Sequence, residues 1–421
     1  MSKKAVYLTI FVVVLMGVLS VSINVHKVEA PYPIIFIRAD GSIDPPTANV
    51  TSLDNVTYTL TANINASIIV ERDNIVIDGA GRTLQGAGSG NGITLSEKNN
   101  VTIENVNAQT FYLGIYFNST SHSVIFGSNL TGNNNGIWLL LSDDNIISKN
   151  NVANNNNGIV LYRSRNNAIS ENNVTNNKDH SIYLDMSFVN KIYHNNFIDN
   201  GSPFLYFSTN MWDNSYPSGG NYWSDYNGTD LHSGLYRNET GSDGIGDTPY
   251  FIDANNQDNY PLMGMFYNFT IFMPPYPSGG FEHVTVISNS TVSNLDLLAW
   301  LSSPNKYLQP RQEFIRFDVT GEEGSVGFYR VMIPRVVLNG SYIVLVDWNE
   351  VPFTEIPSSN STHAFLCFTY NHSTQEVIIT PEFPSFLILP LFMIATLLVC
   401  VFKIFKRQHV YSCSRENWNE A

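Results

Sequence analysis

The feature that most constrains this sequence is a repeat with a period of 22 residues in its central part. Pairs of a small residue and isoleucine recur at Gly92-Ile93, Gly114-Ile115, Gly136-Ile137, Gly158-Ile159 and Ser181-Ile182. Further columns keep the same period, lengthened by one residue at the last step: Ile125, Ile147, Ile169 and Ile192; Leu130, Val152, Val174 and Phe197; Asn129, Asn151, Asn173 and Asn196; Asn150, Asn172 and Asn195; Asn145, Asn167 and Asn190. Several independent columns at one period indicate stacked structural repeats.

The repeat predicts an all-β fold, a parallel β-helix with coils of about 22 residues, each made of three short strands and three turns. Short alternating segments such as Ile137-Trp138-Leu139 are typical of strands. A leucine-rich repeat has a similar period but requires a leucine consensus. The Asn and Gly residues between the segments tolerate the left-handed backbone of tight turns. Equivalent Asn side chains, about 4.8 Å apart on adjacent coils, are expected to form amide ladders.

Composition narrows the functional classes. Of the 51 Asn residues, 27 lie between Asn91 and Asn200, while charged residues make up only 14% of the chain. Residues 31–380 hold 15 basic and 32 acidic side chains, a net charge of −17. With no basic cluster in the repeats, the chain is not expected to bind nucleic acid. Cys367 is the only cysteine in this segment, so no intrachain disulfide is expected there.

Both ends of the chain have features of membrane segments. Two lysines precede an apolar run over residues 5–21, so residues 1–30 are interpreted as a signal peptide or a retained N-terminal anchor. A second apolar run covers residues 386–402 and is followed by Lys403, Lys406 and Arg407. The positive-inside rule then predicts a transmembrane helix within residues 381–407, a cytoplasmic tail at 408–421, and everything before it outside. Fifteen Asn-X-Ser/Thr sequons between Asn49 and Asn371 favour a glycosylated cell-surface protein.

After the repeats, three motifs resemble the NosD-type β-helix proteins: Gly219-Gly220-Asn221-Tyr222-Trp223-Ser224-Asp225-Tyr226, Asp243-Gly244-Ile245-Gly246-Asp247-Thr248-Pro249-Tyr250, and Asp258-Asn259-Tyr260-Pro261-Leu262. The resemblance covers roughly residues 34–265 and implies a right-handed parallel β-helix, which we place at residues 31–265 with its N-terminal cap and closing segment. The family's namesake assists copper-site assembly in a nitrous oxide reductase beside a membrane transporter. Many archaeal surface proteins carry the same module without a known copper role.

The remainder also resembles parts of archaeal surface proteins. Three alternating segments resemble the strands of a small immunoglobulin-like β-sandwich at residues 266–380, namely those starting at Ile315, Gly327 and Tyr342. Pro381-Glu382-Phe383-Pro384-Ser385, the apolar run and the basic cluster resemble a PEF-type sorting signal, which an archaeosortase-like enzyme cleaves. The chain continues for 14 residues beyond Arg407, so we expect membrane anchoring through the C-terminal helix.

The principal candidate site is an aromatic strip. In each Gly-Ile-X-Leu strand, the residue between the two apolar side chains points outward. This column supplies Tyr116, Trp138 and Tyr183, and the next outward column supplies Tyr162. The four aromatic residues are expected to form an exposed strip along the rod. Aromatic faces suit stacking on sugar rings. The alternative is that the β-sandwich or another chain covers the strip, because large apolar patches seldom stay exposed.

Acidic residues offer two other candidate sites. Asp143 and Asp144, with Asp185 near Arg163, are the candidate acids of a polysaccharide lyase or glycoside hydrolase, although adjacent acids in a turn are usually only solvated. Asp243, Asp247 and Asp253 surround two glycines and are candidate ligands of a structural Ca²⁺ ion.

Copper is the remaining candidate ligand. The β-helix offers His122, His180, His194 and Met186, which form no short-spaced pair, and we interpret the histidines as solvated turn residues.

Taken with the aromatic strip, the sequence favours a non-catalytic surface protein that binds glycans or cell-envelope components. A polysaccharide lyase or hydrolase and a copper-handling accessory protein remain the alternatives.

Overall fold

The computed structural model describes residues 33–273, 280–300 and 312–382. The described part of the chain is built from β-strands and turns, and its N-terminal portion is a parallel β-helix of about eight turns. The predicted parallel β-helix is therefore confirmed.

Three sheets form the faces of the β-helix. In hydrogen-bonding order, sheet A contains Ile43–Asp44, Ile34–Ile37, Ser67–Val70, Asn91–Ser96, Leu113–Asn118, Asn135–Leu140, Asn157–Tyr162, His180–Asp185 and Phe204–Tyr206. Sheet B contains Thr209–Met211, Phe188–Tyr193, Ala168–Ser170, Ile146–Ser148, Val124–Phe126, Val101–Glu104, Ile75–Asp78, Thr57–Leu60 and Val50–Thr51. Sheet C contains Tyr222–Trp223, Asn196–Ile198, Asn173–Thr175, Asn151–Ala153, Asn129–Thr131, Asn107–Gln109 and Thr83–Gln85.

The predicted apolar columns fill the interior in register. Ile115 pairs with Ile137, which pairs with Ile159 on the next coil of sheet A. The isoleucine column of sheet B and the Leu130–Val152–Val174 column of sheet C stack in the same way. Every one of these side chains is fully buried. The period of 22 thus places like residues above one another, and one continuous core forms along the rod.

Buried Asn ladders run through the turns between the sheets. The side-chain amide of Asn150 donates to Asn172 Oδ1 over 3.0 Å, and that of Asn172 donates to Asn195 Oδ1 over 2.9 Å. The same oxygens also accept the backbone N–H of the preceding coil. Two further ladders have the same form: Asn145, Asn167, Asn190 and Asn210; and Asn133, Asn155, Asn177 and Asn200. The predicted ladders through Asn145 and Asn150 are confirmed, and all three buried ladders satisfy backbone groups that no strand partner reaches. In the predicted column on sheet C, the amide of Asn151 donates to Asn129 and that of Asn196 donates to Asn173.

A closing segment follows the last coil. It contains two short hairpins, His232–Ser233 with Glu239–Thr240, and Tyr250–Asp253 with Asn256–Asp258. Asp258 is fully buried and accepts the backbone N–H of Asn221 over 2.7 Å, so this carboxyl ends the ladder of Asn150, Asn172, Asn195 and Asn221. Gly220 lies against the same carboxyl, where a Cβ atom would collide with it.

The C-terminal part consists of two five-stranded antiparallel sheets. Sheet D contains Met265–Met273, Gly280–Ser288, Val326–Pro334, His363–Asn371 and Phe353–Glu355. Sheet E contains Thr291–Trp300, Gln312–Thr320, Thr374–Pro381, Tyr342–Val346 and Asn349–Glu350. Residues from both sheets, such as Val331 and Phe317, share one buried core.

The two predicted membrane segments, residues 5–21 and 386–402, lie outside the described residues. Within the stretches that are described, no helix is long and apolar enough to cross a bilayer.

Candidate functional site

The predicted aromatic strip lies on the outer face of sheet A. Tyr116 pairs with Trp138, Trp138 with Val160, and Val160 with Tyr183, so the column follows the predicted register. Phe204 continues it on the next coil. Sequence reasoning missed Phe204 because the repeat is shortened there and the Gly-Ile pair is absent. The strip therefore extends over five coils.

Three of the four predicted aromatic residues line one shallow cavity. Tyr116 and Trp138 belong to the first outward column, and Tyr162 follows Leu140 in the neighbouring column. Together with Tyr112 and Leu113, these residues line a cavity of about 380 Å³. Tyr112 was not predicted because it lies in the turn before the strand rather than in a repeated column. Partial burial raises the pKa of the Tyr116 phenol above its ordinary value.

Tyr183 belongs to a second aromatic cluster. Its ring stacks on Phe204, with the ring centroids 4.8 Å apart and an angle of 19° between the planes. His180 contacts both rings, at centroid distances of 5.7 and 5.3 Å. Val160, which lies between Trp138 and Tyr183, is almost fully buried. The strip is thus divided into a cavity around Trp138 and a stacked cluster around Tyr183.

The C-terminal sheets contact a different side of the rod. Phe266 exchanges two hydrogen bonds with the side chain of Asn196 in sheet C. Asn268 donates to Glu171 over 3.0 Å, and Arg330 donates to the carbonyl of Pro217 over 2.6 Å. These contacts lie beside sheet C and the turn that leads into it, whereas the strip lies on sheet A. The cavity around Trp138 is lined by β-helix residues alone.

The candidate catalytic acids are engaged in turn structure. Asp143 Oδ1 accepts the backbone N–H of Arg165 over 2.6 Å, and Asp144 accepts a hydrogen bond from the Asn166 amide. Both bonds join adjacent coils, as the Asn ladders do. The carboxylates therefore stabilise the stacking of turns.

The acids of the closing segment are grouped differently from the prediction. Asp253 accepts hydrogen bonds within its own hairpin, from the backbone of Asn255 and the side chain of Asn256. Asp243 and Asp247 instead lie near Asp230, whose carboxylate accepts the backbone N–H of Asp243 and of Gly244. Burial first, and then the charge of Asp243, raises the pKa of Asp230 to about 7.

Metal ligation has little support in this geometry. Across residues 33–273, 280–300 and 312–382, no group of three or more His, Cys, Asp or Glu side chains is arranged to hold a metal ion. A Ca²⁺ site at Asp243, Asp247 and Asp253 remains a prediction.

The interpretation of His194 as a solvated turn residue was wrong. Its ring is 9% exposed and stacks on Phe266 with the centroids 3.9 Å apart. Its Nε2 lies 2.9 Å from the carbonyl oxygen of Ser218. The burial comes from a residue of the C-terminal sheets, which the β-helix repeat does not reveal. His122 is exposed, as predicted.

Acidification is expected to destabilise the contact between His194 and Phe266. The pKa of His194 is lowered from 6.5 to about 4, chiefly by burial. The positive charge of Arg330 contributes to the same shift, and Arg330, His194 and Glu171 line one cavity. The neutral ring therefore contributes stability that is present above pH 6.5 and is lost as the pH falls toward 4. Between pH 7 and pH 4.5 the loss is about 2.5 kcal/mol.

This loss is measured with urea unfolding midpoints of the full chain, as the change with pH in the difference between the wild type and His194→Gln, which cannot titrate at this position. On acidification from pH 7 to pH 4.5 the wild type should lose stability relative to the variant, because the other titrating groups, Asp230 among them, are common to both proteins. His122→Gln is the matched control, because that ring is exposed and should leave the dependence unchanged. Equal pH dependence in the wild type and in His194→Gln would contradict the assignment.

Comparison with known proteins gives one family match. The family model described as "Periplasmic copper-binding protein (NosD)" matches residues 38–228, which is the β-helix and the beginning of its closing segment. This match confirms the predicted resemblance for that part of the chain. No curated protein matches the chain.

Several solved structures are similar in part. Tailspike protein 2 of Escherichia coli O157:H7 bacteriophage CAB120 is 11% identical, with 76% of this chain and 53% of that chain covered and a TM-score of 0.29. Tailspike protein gp49 from Acinetobacter baumannii bacteriophage Fri1, a capsular polysaccharide depolymerase, is 7% identical, with 78% and 80% covered and a TM-score of 0.26. The chain thus spans about half the length of tailspike protein 2. Identities and TM-scores this low carry no argument about function.

Proposed function

Residues 38–228 form a β-helix of the NosD family, and from this premise we propose that the protein is an exported surface protein that binds carbohydrate through the cavity around Trp138. The observation that carries this proposal is the convergence of Tyr116, Trp138 and Tyr162 on one open cavity of about 380 Å³. The basic and apolar segments at both chain ends support export and membrane anchoring.

The chemistry of the cavity suits a sugar ring. Aromatic rings present flat apolar faces, which pack against the C–H faces of a pyranose, while the phenol hydroxyls of Tyr116 and Tyr162 offer hydrogen bonds at the edge. Ligand sites are typically concave and mostly apolar, with a few polar groups that fix orientation. Successive coils repeat at about 4.8 Å, so side chains on neighbouring coils are placed to contact a single extended chain.

Two alternatives are less well supported by the geometry. A polysaccharide lyase or hydrolase needs a pair of carboxyl groups that flank the bond to be cleaved, and one oxygen of each of Asp143 and Asp144 is engaged in a hydrogen bond between coils. Copper handling, which the family description suggests, needs a convergent set of soft ligands. His194 is stacked beneath Phe266, and Met186 lies in a groove lined by two arginines, so the residues present do not fit such a site.

Trp138→Ala is expected to weaken glycan binding about tenfold or more, because loss of a stacked aromatic side chain removes about 1.5 kcal/mol or more of binding free energy. Binding is measured on a glycan array with the purified full chain and then by titration with the strongest ligand. Tyr183→Ala should have a smaller effect, since Tyr183 lies in the separate cluster with Phe204.

Phe126→Ala is the control, because Phe126 is an exposed aromatic residue on sheet B, away from the cavity around Trp138. The Phe126→Ala variant should bind the glycan with the affinity of the wild type. Unchanged binding in both Trp138→Ala and Tyr116→Ala would overturn the proposal. Release of shortened or unsaturated products during the assay would instead favour the lyase or hydrolase alternative.

A further inference from the structure

A second groove lies directly beside the cavity around Trp138. Its volume is about 580 Å³, and Leu141, Arg163, Arg165 and Phe207 are among its lining residues. Leu141 and Arg163 immediately follow Leu140 and Tyr162, which line the cavity around Trp138. A chain-like ligand that occupies one recess therefore reaches the other without leaving the surface.

The two arginines are available for a ligand. Among the ion pairs of the described residues, none includes Arg163 or Arg165. The guanidinium of Arg163 lies over the ring of Tyr162 at 5.2 Å, and that of Arg165 over the ring of Phe188 at 5.7 Å. These contacts leave the hydrogen-bonding edges of both planar groups for a further partner.

Arginines outnumber acids among the residues that line the groove. Asp143 is the one acidic residue in this lining, and its Oδ1 accepts the backbone N–H of Arg165. Asp185 lies on the next coil, where its backbone carbonyl accepts the N–H of Arg163 and its Oδ1 is buried. Two arginines and one lining carboxylate give the groove a net positive charge within a segment, residues 31–380, whose net charge is −17.

Large side chains occupy one turn position on four successive coils beside the groove. Leu141, Arg163, Met186 and Phe207 occupy equivalent turn positions on successive coils, with φ angles of 50°, 52°, 49° and 44°. This left-handed conformation favours Gly and Asn and is costly for large residues. Leu141 and Phe207 are nevertheless 50% and 70% exposed, so burial does not compensate for that cost.

We propose that Arg163 and Arg165 form an anion-binding subsite that recognises a carboxylate or sulfate group on an acidic glycan whose neighbouring ring occupies the cavity around Trp138. This inference rests on the proposed function and adds the substrate class. An arginine binds a planar carboxylate or a sulfate through paired hydrogen bonds.

The test compares acidic glycans with their neutral counterparts on the purified full chain. The probes are oligogalacturonate and its methyl ester, and a sulfated dextran oligosaccharide and its unsulfated form. The wild type should bind at least one acidic member at least tenfold more tightly than its neutral partner. The pair that shows this preference distinguishes carboxylate from sulfate recognition.

The double variant Arg163→Gln/Arg165→Gln should lose this tenfold preference and bind the neutral partner as the wild type does. As a control, Arg82→Gln removes one positive charge at an exposed turn near the start of the rod and should leave the preference intact. If the double variant keeps the preference while Trp138→Ala loses binding, the subsite is wrong and the proposed function stands. If the wild type binds only the neutral members, the anion-binding subsite is overturned and the proposed carbohydrate binding stands. If it binds none of the probes, the subsite is overturned and the proposed function gains no support.

Discussion

Replacement of Asn172 by Ala is expected to lower the free energy of unfolding by about 3–5 kcal/mol. Asn172 is fully buried, and its Oδ1 accepts both the backbone N–H and the side-chain amide of Asn150. Its own amide donates to the carbonyl of Ile147 over 2.9 Å. Alanine leaves these groups buried without partners, at about 1–3 kcal/mol for each such group. The measurement is the urea unfolding midpoint of the full chain, together with its soluble yield.

The adjacent residue supplies the control for this substitution. Asn173 is exposed, and its Oδ1 accepts a single hydrogen bond from Asn196. Water replaces that bond readily, so Asn173→Ala should cost about 0.5 kcal/mol or less. Similar losses in the two variants would show that the buried ladder does not stabilise the β-helix more than the exposed one does.

The repeat made most of this interior predictable from sequence. Isoleucines and asparagines that recur at a fixed period must stack, and alternation within each strand decides which side chains enter the core. The ladder of Asn133, Asn155, Asn177 and Asn200 escaped notice, although it has the same spacing as the others. These four asparagines recur at steps of 22, 22 and 23 residues, so the ladder is visible when every position of the repeat is aligned.

The candidate site was predictable only where it follows the repeat. Tyr116, Trp138 and Tyr162 were found because each lies at an outward position of a periodic strand. Tyr112 lies in a turn, and Phe204 follows an irregular coil, so neither has a column in the sequence. The burial of His194 depends on Phe266, from a part of the chain with no repeat at all. Contacts between non-periodic segments require the folded structure.

Asp258 makes contacts of this non-periodic kind, and its substitution is expected to cause the second large loss of stability. Its Oδ2 accepts the backbone N–H of Asn221 and the indole N–H of Trp223, over 2.7 and 3.0 Å. Its Oδ1 accepts the backbone N–H of Tyr260 over 3.0 Å. Asp258→Ala leaves two buried donors and one partly buried donor without their partner, and it is expected to lower the free energy of unfolding by about 4–6 kcal/mol, measured from the urea unfolding midpoint.

The protonation of Asp258 adds a dependence on pH. Burial raises its pKa from 3.8 to about 7, against the opposing effect of the donated hydrogen bonds. Because the folded state binds this proton more tightly than the unfolded state does, the stabilisation is fully present below pH 4 and is lost as the pH rises through 7. Between pH 4.5 and pH 8 the loss is about 3 kcal/mol.

Asp258→Asn isolates this contribution, since the amide has nearly the same shape and does not titrate. At pH 4.5 the free energy of unfolding of the variant should be lower than that of the wild type, because its NH₂ group faces the N–H of Tyr260. As the pH rises, the free energy of unfolding should fall less in the variant than in the wild type. Asp230, whose pKa is also raised to about 7, and His194 titrate in both proteins, so their effects cancel in the comparison. Equal slopes in the two proteins would mean that Asp258 is ionised throughout this range. The ladder would then end on a carboxylate that its three N–H donors stabilise in the charged form.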